Sequence, residues 1–244
     1  MGESPRILAF DDIDSTNAEA RRMAEAHEVG PLWITARRQH MGRGRRGRSW
    51  ETGEGNLAAT YLFVSRKPAA EAAQVSFVAA LALADLADAY VDPGLVTLKW
   101  PNDPLIAGRK TAGILVESGA LLGGGLWLAV GCGVNLARAP TDLDRPVTAF
   151  ADHLVGAHPP TPGRAIEVLA AAMERWRAVW ERRGFPPIAE AWTGRAHGLG
   201  DPCTAHLTHE TVRGVAEGLD PDGALRLRLE DGAVRRITAG DIFF

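Results

Sequence analysis

The sequence of 244 residues contains only two cysteines, Cys132 and Cys203, and they lie far apart. Their separation matches neither a metal-ligand cluster nor a disulfide framework. The first residues carry no signal-peptide pattern, and the most apolar stretch, residues 75–84, is about half the length needed to cross a bilayer. The sequence therefore predicts a cytoplasmic protein without a membrane segment.

Acidic residues are absent from residues 37–48, which contain six arginines and three glycines. The formal net charge of the whole chain is −3, so positive charge is concentrated in this one segment. Glycine lets the backbone turn its N–H groups toward an anion, and arginine supplies forked donors that suit phosphate or carboxylate. We call residues 39–50 the arginine loop and predict that it closes on a phosphate-bearing ligand.

Other interpretations of this loop are possible. An arginine run is often a solvated face or a nucleic-acid patch. The pattern Gly42-x-Gly44-x-x-Gly47 also matches a dinucleotide-binding fingerprint, which requires a preceding strand and a following helix. A strand is plausible at residues 32–36, but residues 50–56 have turn composition. The dinucleotide interpretation therefore fails, and the absence of a Gly-Lys-Ser/Thr ending excludes a P-loop.

Helical and strand patterns alternate through the first 196 residues. Thr16 and Glu19 have the spacing of a capping box at a helix start. Residues 112–117 are predicted to form the hairpin partner of the strand at residues 95–100. We predict an α/β (α+β) fold with a mixed β-sheet flanked by helices. Strands are predicted at residues 7–10, 32–36, 57–64, 95–100, 112–117 and 126–130, and helices at residues 16–27, 69–90, 162–182 and 187–192.

Short strands separated by turns dominate the last part of the chain. They are predicted at residues 204–207, 212–217, 224–229 and 234–238, a pattern typical of a small β-barrel. The sequence thus predicts a catalytic domain at residues 1–196 and a C-terminal β domain at residues 197–244.

Four stretches taken together closely resemble the biotin protein ligase family: residues 14–17, the arginine loop, residues 99–117 and residues 131–135. The resemblance extends over residues 7–244 and implies the biotin/lipoate ligase fold with a C-terminal SH3-like domain. Many relatives carry an N-terminal DNA-binding domain. Because the catalytic pattern starts within the first ten residues here, we expect a short form without operator binding.

The resemblance implies two reactions in one pocket. Biotin and ATP, with Mg²⁺, would give biotinyl-5′-AMP and pyrophosphate, and a lysine of a biotin carboxyl carrier domain of a carboxylase would then accept biotin. The first step brings two anions together and needs cations and positioning rather than a nucleophilic side chain. No metal bound directly by protein ligands is expected, and the sequence leaves open whether the protein is a monomer or a homodimer.

Site residues follow from the same resemblance. Ser15, Thr16, Asn17 and Gln39 would recognise the biotin ring and its ureido group, with Gly113 in the same site. Arg43 and Lys110 would hold the carboxylate and α-phosphate, and Asp103 would orient or deprotonate the incoming lysine. Gly44 and Arg45 would line the ligand. The residues expected toward ATP and the adenylate are Arg43, Arg45, Arg46, Trp50, Asn102, Lys110 and Asn135.

The sequence departs from the family pattern at His40 and Met41, before the first glycine of the loop, and at Pro104, after Asn-Asp. Two alternative functions are considered. One is a lipoate or octanoate ligase or transferase, which is related in fold and shares an essential lysine. The other is a nucleic-acid-binding module that uses the arginine loop and the C-terminal barrel.

Overall fold

The computed structural model describes residues 5–141 and 146–244. Its main sheet has five strands in the order β1-β2-β3-β8-β7. The first two strands are parallel and the other neighbours are antiparallel, so the sheet is mixed as predicted. The strands are β1 (Arg6–Ile13), β2 (Leu32–Gln39), β3 (Leu57–Ser65), β7 (Ala112–Ala120) and β8 (Leu126–Val134).

Helices cover both faces of this sheet. Successive residues of β2 point to opposite faces: Trp33 packs with the helices of one face, and Leu32 and Ile34 pack against α1. The helices are α1 (Thr16–Glu25), α2 (Ala69–Ala72), α3 (Val75–Asp88), α4 (Pro162–Arg183) and α5 (Pro186–Thr193). The segment Ala69–Asp88 is long and apolar enough to cross a membrane, but it is mostly buried inside the protein, as expected for a core helix.

A small three-stranded sheet overturns the predicted hairpin between residues 95–100 and 112–117. Strand β4 (Val96–Lys99) pairs with β5 (Asp103–Ile106), which pairs with β6 (Arg109–Lys110). Ala107 and Gly108 have φ of 49° and 74° and reverse the chain between β5 and β6. Strand β7 instead pairs with β8, and Pro104 lies within β5 rather than in a turn.

The C-terminal sheet is antiparallel, with the order β12-β11-β10-β9-β13. Its strands are β9 (Pro202–His206), β10 (Thr211–Leu219), β11 (Leu225–Arg228), β12 (Val234–Ile237) and β13 (Asp241–Phe243). The last of these was not predicted from the sequence. The sheet shares a hydrophobic core with the main sheet and helices, and buried Trp100 donates from Nε1 to the carbonyl of Gly223 at 3.0 Å. The predicted mixed fold with a C-terminal β region is confirmed.

Candidate active site

A cavity of about 310 Å³ lies against the α1 side of the main sheet and is also bordered by the small sheet and by β13. This volume is at the lower end of the range for small-molecule sites. Most of the residues predicted from the sequence line it. They are Ser15, Thr16, Asn17, Gln39, Arg43, Gly44, Arg45, Trp50, Asp103, Lys110 and Gly113.

The start of α1 supplies uncharged polar groups. Ser15 is the N-cap but makes no side-chain cap hydrogen bond, so the predicted capping box is wrong. Instead, Gln39 Oε1 on β2 accepts from the backbone N–H of Thr16 at 2.8 Å and lies 3.2 Å from the Thr16 hydroxyl. A residue distant in sequence thus satisfies the free N–H at the helix start, because β1 and β2 lie side by side.

Asn17 and Gln39 keep complementary hydrogen-bonding capacity. Gln39 Nε2 donates to Thr52 Oγ1, which leaves its second N–H available. Asn17 Nδ2 donates to the carbonyl of Leu115 and to Glu117 Oε2, while Asn17 Oδ1 accepts from the Thr60 hydroxyl. An amide has two donors and two acceptor lone pairs. Among the described residues, Gln39 thus keeps one N–H donor and Asn17 keeps one acceptor lone pair, and both residues line the cavity.

The arginine loop is held in a closed shape by its own backbone. Arg43 forms an isolated bridge with Ser49, and Trp50 N–H donates to the Gly42 carbonyl at 2.9 Å. A positive φ, which favours glycine, occurs at Gly47, at 73°, and at Arg46, at 57°, but not at Gly42 or Gly44. Gly42 is required for another reason, since a Cβ there would collide with the Trp50 carbonyl oxygen.

Carboxylates from other elements partly neutralise the loop. Asp241 on β13 lies 3.8 Å from Arg45, 3.0 Å from Arg46 and 2.5 Å from Arg48. Arg45 also donates to Asn102 Oδ1 at 2.8 Å and to the Gly240 carbonyl at 3.2 Å. These contacts join the loop to both the small sheet and the C-terminal sheet.

Trp50 closes the loop against the floor of the cavity. Gly113 on β7 pairs with Gly133 on β8, and a Cβ on Gly113 would lie 2.8 Å from the Trp50 ring. A Cβ on Gly133 would overlap the same ring more severely. The two glycines therefore make the seat on which the indole rests.

Lys110 and Asp103 form the charged pair of the site. Lys110 Nζ donates to Asp103 Oδ1, and its side chain is 15 % exposed. Lys99 Nζ lies 3.9 Å from Asp103 Oδ2 and donates to the Ile242 carbonyl. One carboxylate thus faces two ammonium groups at the junction of the small sheet with β13.

Three predicted residues lie outside the cavity wall as far as the described residues define it: Arg46, Asn102 and Asn135. Arg46 and Asn102 act on the loop through Asp241 and Arg45. Asn135 is buried; its Nδ2 donates to the Thr148 carbonyl, and its Oδ1 has no hydrogen-bond partner among the described residues. Its expected contact with adenine stays a prediction.

Sequence reasoning missed several contributors. Asp241 and the residues after it line the cavity, as do Lys99 and Cys132. Glu117, at the end of the family-like stretch 99–117, contacts Asn17 and Arg43 and was not predicted as a site residue. The C-terminal residues carry no local signal, because they lie more than 190 positions from the arginine loop. Lys99 begins the family-like stretch 99–117, and its place there was a signal that could have identified it.

The nucleophile inventory of the cavity is limited. Burial raises the pKa of the Cys132 thiol to about 12, so it stays neutral and inert near pH 7. Within residues 5–141 and 146–244, no group of three or more His, Cys, Asp or Glu side chains could hold a metal ion. The cations that line the cavity suit it to the electrostatic positioning of anions; they include Arg43, Arg45, Lys99 and Lys110.

Comparison with known proteins agrees with this architecture. Residues 9–135 match the biotin/lipoate A/B protein ligase family, and residues 198–244 match the biotin protein ligase C terminal domain. A biotin–[acetyl-CoA-carboxylase] ligase of Paracoccus denitrificans is 42 % identical over 95 % of this chain and 97 % of its own. A bifunctional ligase/repressor of Bacillus subtilis is 30 % identical over 99 % of this chain and 74 % of its own.

Solved structures show the same fold. The biotin protein ligase from Aquifex aeolicus in complex with biotin and ATP superimposes with a TM-score of 0.79 at 21 % identity, covering 98 % of this chain and 97 % of that one. Family models match both parts of the chain, and the Paracoccus denitrificans relative is 42 % identical over nearly the whole length. The chain belongs to the biotin protein ligase family.

Proposed function

We propose that this protein activates biotin with ATP to biotinyl-5′-AMP, releasing pyrophosphate, and transfers biotin to a lysine of a biotin carboxyl carrier domain of a carboxylase. The observation that carries the proposal is a single cavity that combines neutral hydrogen-bonding groups with cations. Gln39 and Asn17 offer a donor and an acceptor, and Arg43 and Lys110 bring positive charge to the same cavity.

The neutral groups match the head of biotin. A cyclic urea has one carbonyl acceptor and two N–H donors, which complement the free N–H of Gln39 and the free lone pair of Asn17. Ser15 and Thr16 are buried beside them at the start of α1. Gly113 contributes by leaving room for the Trp50 ring.

The cations match the reacting groups. Arg43 and Lys110 would draw the biotin carboxylate toward the α-phosphate by screening their repulsion. Gly44 and Arg45 would line the ligand, with Arg46, Trp50, Asn102 and Asn135 acting toward the nucleotide. Asp103 would release Lys110, accept a hydrogen bond from the incoming carrier lysine and so orient the amine of that lysine. In this proposal Mg²⁺ would enter with ATP, and its charge would offset that of the phosphates.

The proposal places the reaction in the cytoplasm. Cys132 and Cys203 are both buried and free, in keeping with a reducing compartment. It also treats residues 1–196 as the catalytic domain and residues 197–244 as an SH3-like domain that completes the site through β13. Residues 1–4 and 142–145 of the first range lie outside the described part of the chain.

The nucleic-acid alternative is disfavoured by the charge pairing. Asp241 lies within 4 Å of three loop arginines, and two of them, Arg45 and Arg48, line a cavity rather than an open stripe. A nucleic-acid site would instead leave such cations available to successive phosphates. Lipoate or octanoate transfer is disfavoured by the match of residues 198–244 to the biotin protein ligase C terminal domain.

The test is to incubate the purified protein with ATP and Mg²⁺ and either biotin or lipoate. We expect biotin-dependent pyrophosphate release and a small-molecule product with the mass of biotinyl-AMP. Adenylate formation with lipoate but not with biotin would identify lipoate as the substrate. Failure with both acids, together with steeply salt-dependent binding of oligonucleotides, would support the nucleic-acid function instead.

A further inference from the structure

Among the described residues, Glu117 lies outside the cavity wall and contacts two of the predicted ligand-binding residues, Asn17 and Arg43. It stands on β7 opposite Ala129 of β8. Its Oε2 accepts from Asn17 Nδ2 at 2.7 Å, and its Oε1 lies 3.6 Å from Arg43 Nη2. Its side chain is 29 % exposed, so the contact with Arg43 is screened by solvent, whereas Asn17 is only 4 % exposed.

The surroundings of Asn17 determine which way its amide points. Both hydrogens on Nδ2 are accepted inside the protein, one by Glu117 Oε2 and one by the Leu115 carbonyl at 3.3 Å. The Thr60 hydroxyl, which is fully buried, donates to Oδ1 at 2.7 Å. A flipped amide would turn its NH₂ group away from two acceptors, one of them charged. A hydrogen bond to a charged group is the strongest of this set.

Gly131 makes this arrangement possible. It lies on β8 opposite Leu115, and any Cβ there would collide with Asn17 Oδ1. Asn17 is therefore pressed against the sheet with its oxygen above a glycine and its nitrogen above Glu117.

We infer that Glu117 is a positioning residue that fixes the polarity of the Asn17 amide, so that this part of the cavity presents an acceptor and selects ligands with N–H donors. This role rests on the proposed function, since the ureido ring of biotin would provide those donors. Glu117 itself touches no reacting atom. Its effect is on ligand selection, exerted through Asn17.

The experiment compares the binding of biotin with that of its two singly N-methylated ureido isomers, by isothermal titration calorimetry. All three ligands share the same carboxylate, so their affinity ratio cancels any effect of Glu117 on Arg43. The wild type is expected to reject at least one isomer. In Glu117→Met, which lacks an acceptor, this preference should fall by about ten-fold or more, because a charge-assisted hydrogen bond that held the amide is lost.

Two further variants act as controls. Glu117→Gln keeps an oxygen that can accept from Asn17 and should retain the wild-type ratio within about three-fold. Glu230→Met replaces an exposed glutamate outside the cavity wall and should change neither ratio nor affinity. A folded Glu117→Met protein with the wild-type preference would overturn the role of Glu117.

If Glu117→Met does not fold, a pair of substitutions at Asn17 and Glu117 tests the inference instead. Asn17→Asp places two carboxylates side by side, and adding Glu117→Gln restores one donor facing one acceptor. The double variant should bind biotin more tightly than Asn17→Asp alone, with a positive coupling in the double-mutant cycle. Additive effects would overturn the inference. Absence of biotin binding by the wild type would overturn the proposed function, and the role of Glu117 with it.

Discussion

The hydrogen bonds that a cavity residue can make to a ligand depend on which of its donors and acceptors its neighbours already use. The side-chain oxygen of Gln39 accepts from Thr16, and one of its N–H groups remains as a donor. Both side-chain N–H groups of Asn17 donate within the protein, and its oxygen remains able to accept. Lys110 donates to Asp103 before any ligand arrives. The residue types were predictable from the sequence, but the hydrogen-bonding capacity that each retains depends on contacts between distant segments.

Lys110→Ala should reduce adenylate formation by at least about 10- to 100-fold, because a hydrogen bond to a charged group contributes about 1.5–3 kcal/mol. Pyrophosphate release under saturating biotin and ATP measures this. Lys67→Ala is the control, since Lys67 lies outside the cavity wall and stacks on Trp180. A folded Lys110→Ala protein with the wild-type rate would contradict the assignment.

Gly133→Ala should displace the Trp50 ring and open the arginine loop. The added methyl group overlaps the indole, and overpacking of this kind costs about 1–3 kcal/mol. We expect faster tryptic cleavage within residues 43–48 and weaker biotin binding. Gly163→Ala adds the same methyl group where nothing lies within 4 Å, so it should leave the cleavage rate unchanged. Equal rates of tryptic cleavage for the two variants would show that the close packing of Trp50 on Gly133 does not hold the loop.

At the scale of elements, β13 connects the end of the chain to a loop near its beginning. Its Asp241 balances three arginines that would otherwise repel one another. A helix or strand is recognised by its local period, but this two-hundred-residue connection has no local pattern. That is why the strand was not predicted, although the concentration of positive charge in the loop was evident from the sequence.

Asp241→Asn should loosen the arginine loop and increase the release of biotinyl-AMP. Removing one carboxylate leaves Arg45, Arg46 and Arg48 without their shared ion-pair partner, so the hydrogen bond from Arg45 to the Gly240 carbonyl remains without the support of those ion pairs. The rate of adenylate dissociation, measured by filter retention, should rise several-fold. Asp231→Asn, in an exposed turn, is the matched control. An unchanged dissociation rate for Asp241→Asn would show that the Asp241 carboxylate on β13 does not contribute to ligand retention.

The start of α1 should contribute stability that depends on pH. Hydrogen bonds from Arg22 lower the pKa of Asp14 to about 2 from 3.8. The folded-state pKa lies below the unfolded one, so the contribution is complete above about pH 4 and is lost as the pH falls through 2. Because both side chains are more than a third exposed, Asp14→Asn should cost less than about 1 kcal/mol at pH 7.

Urea denaturation at pH 7 and pH 3 checks this, and the difference between Asp14→Asn and wild type should shrink at the lower pH. Asp11→Asn serves as the control because Asp11 is 87 % exposed in its pair with Arg37. A difference that grows on acidification would show the opposite sign of linkage.

At the scale of the whole molecule, the two sheets share one core. Buried residues of β9 to β13 pack in the same cluster as α3, α4 and α5. Removal of residues 197–244 would expose this surface and leave Trp100 without its Gly223 acceptor. We expect the full chain to unfold in one calorimetric transition and residues 1–196 to unfold at a lower temperature. Two separate transitions in the full chain would contradict a shared core.

The sequence by itself determined the order of most helices and strands, the mixed α/β class and most residues of the cavity wall. These follow from local periodicity, from turn residues and from motifs whose members lie close together in the chain. Only the tertiary structure decided that β4 pairs with β5 rather than β7, that Gln39 caps α1, and that Asp241 and Glu117 hold the arginines and Asn17. Those contacts join residues between 4 and 195 positions apart. Most are set by how the sheets pack, which no local pattern encodes.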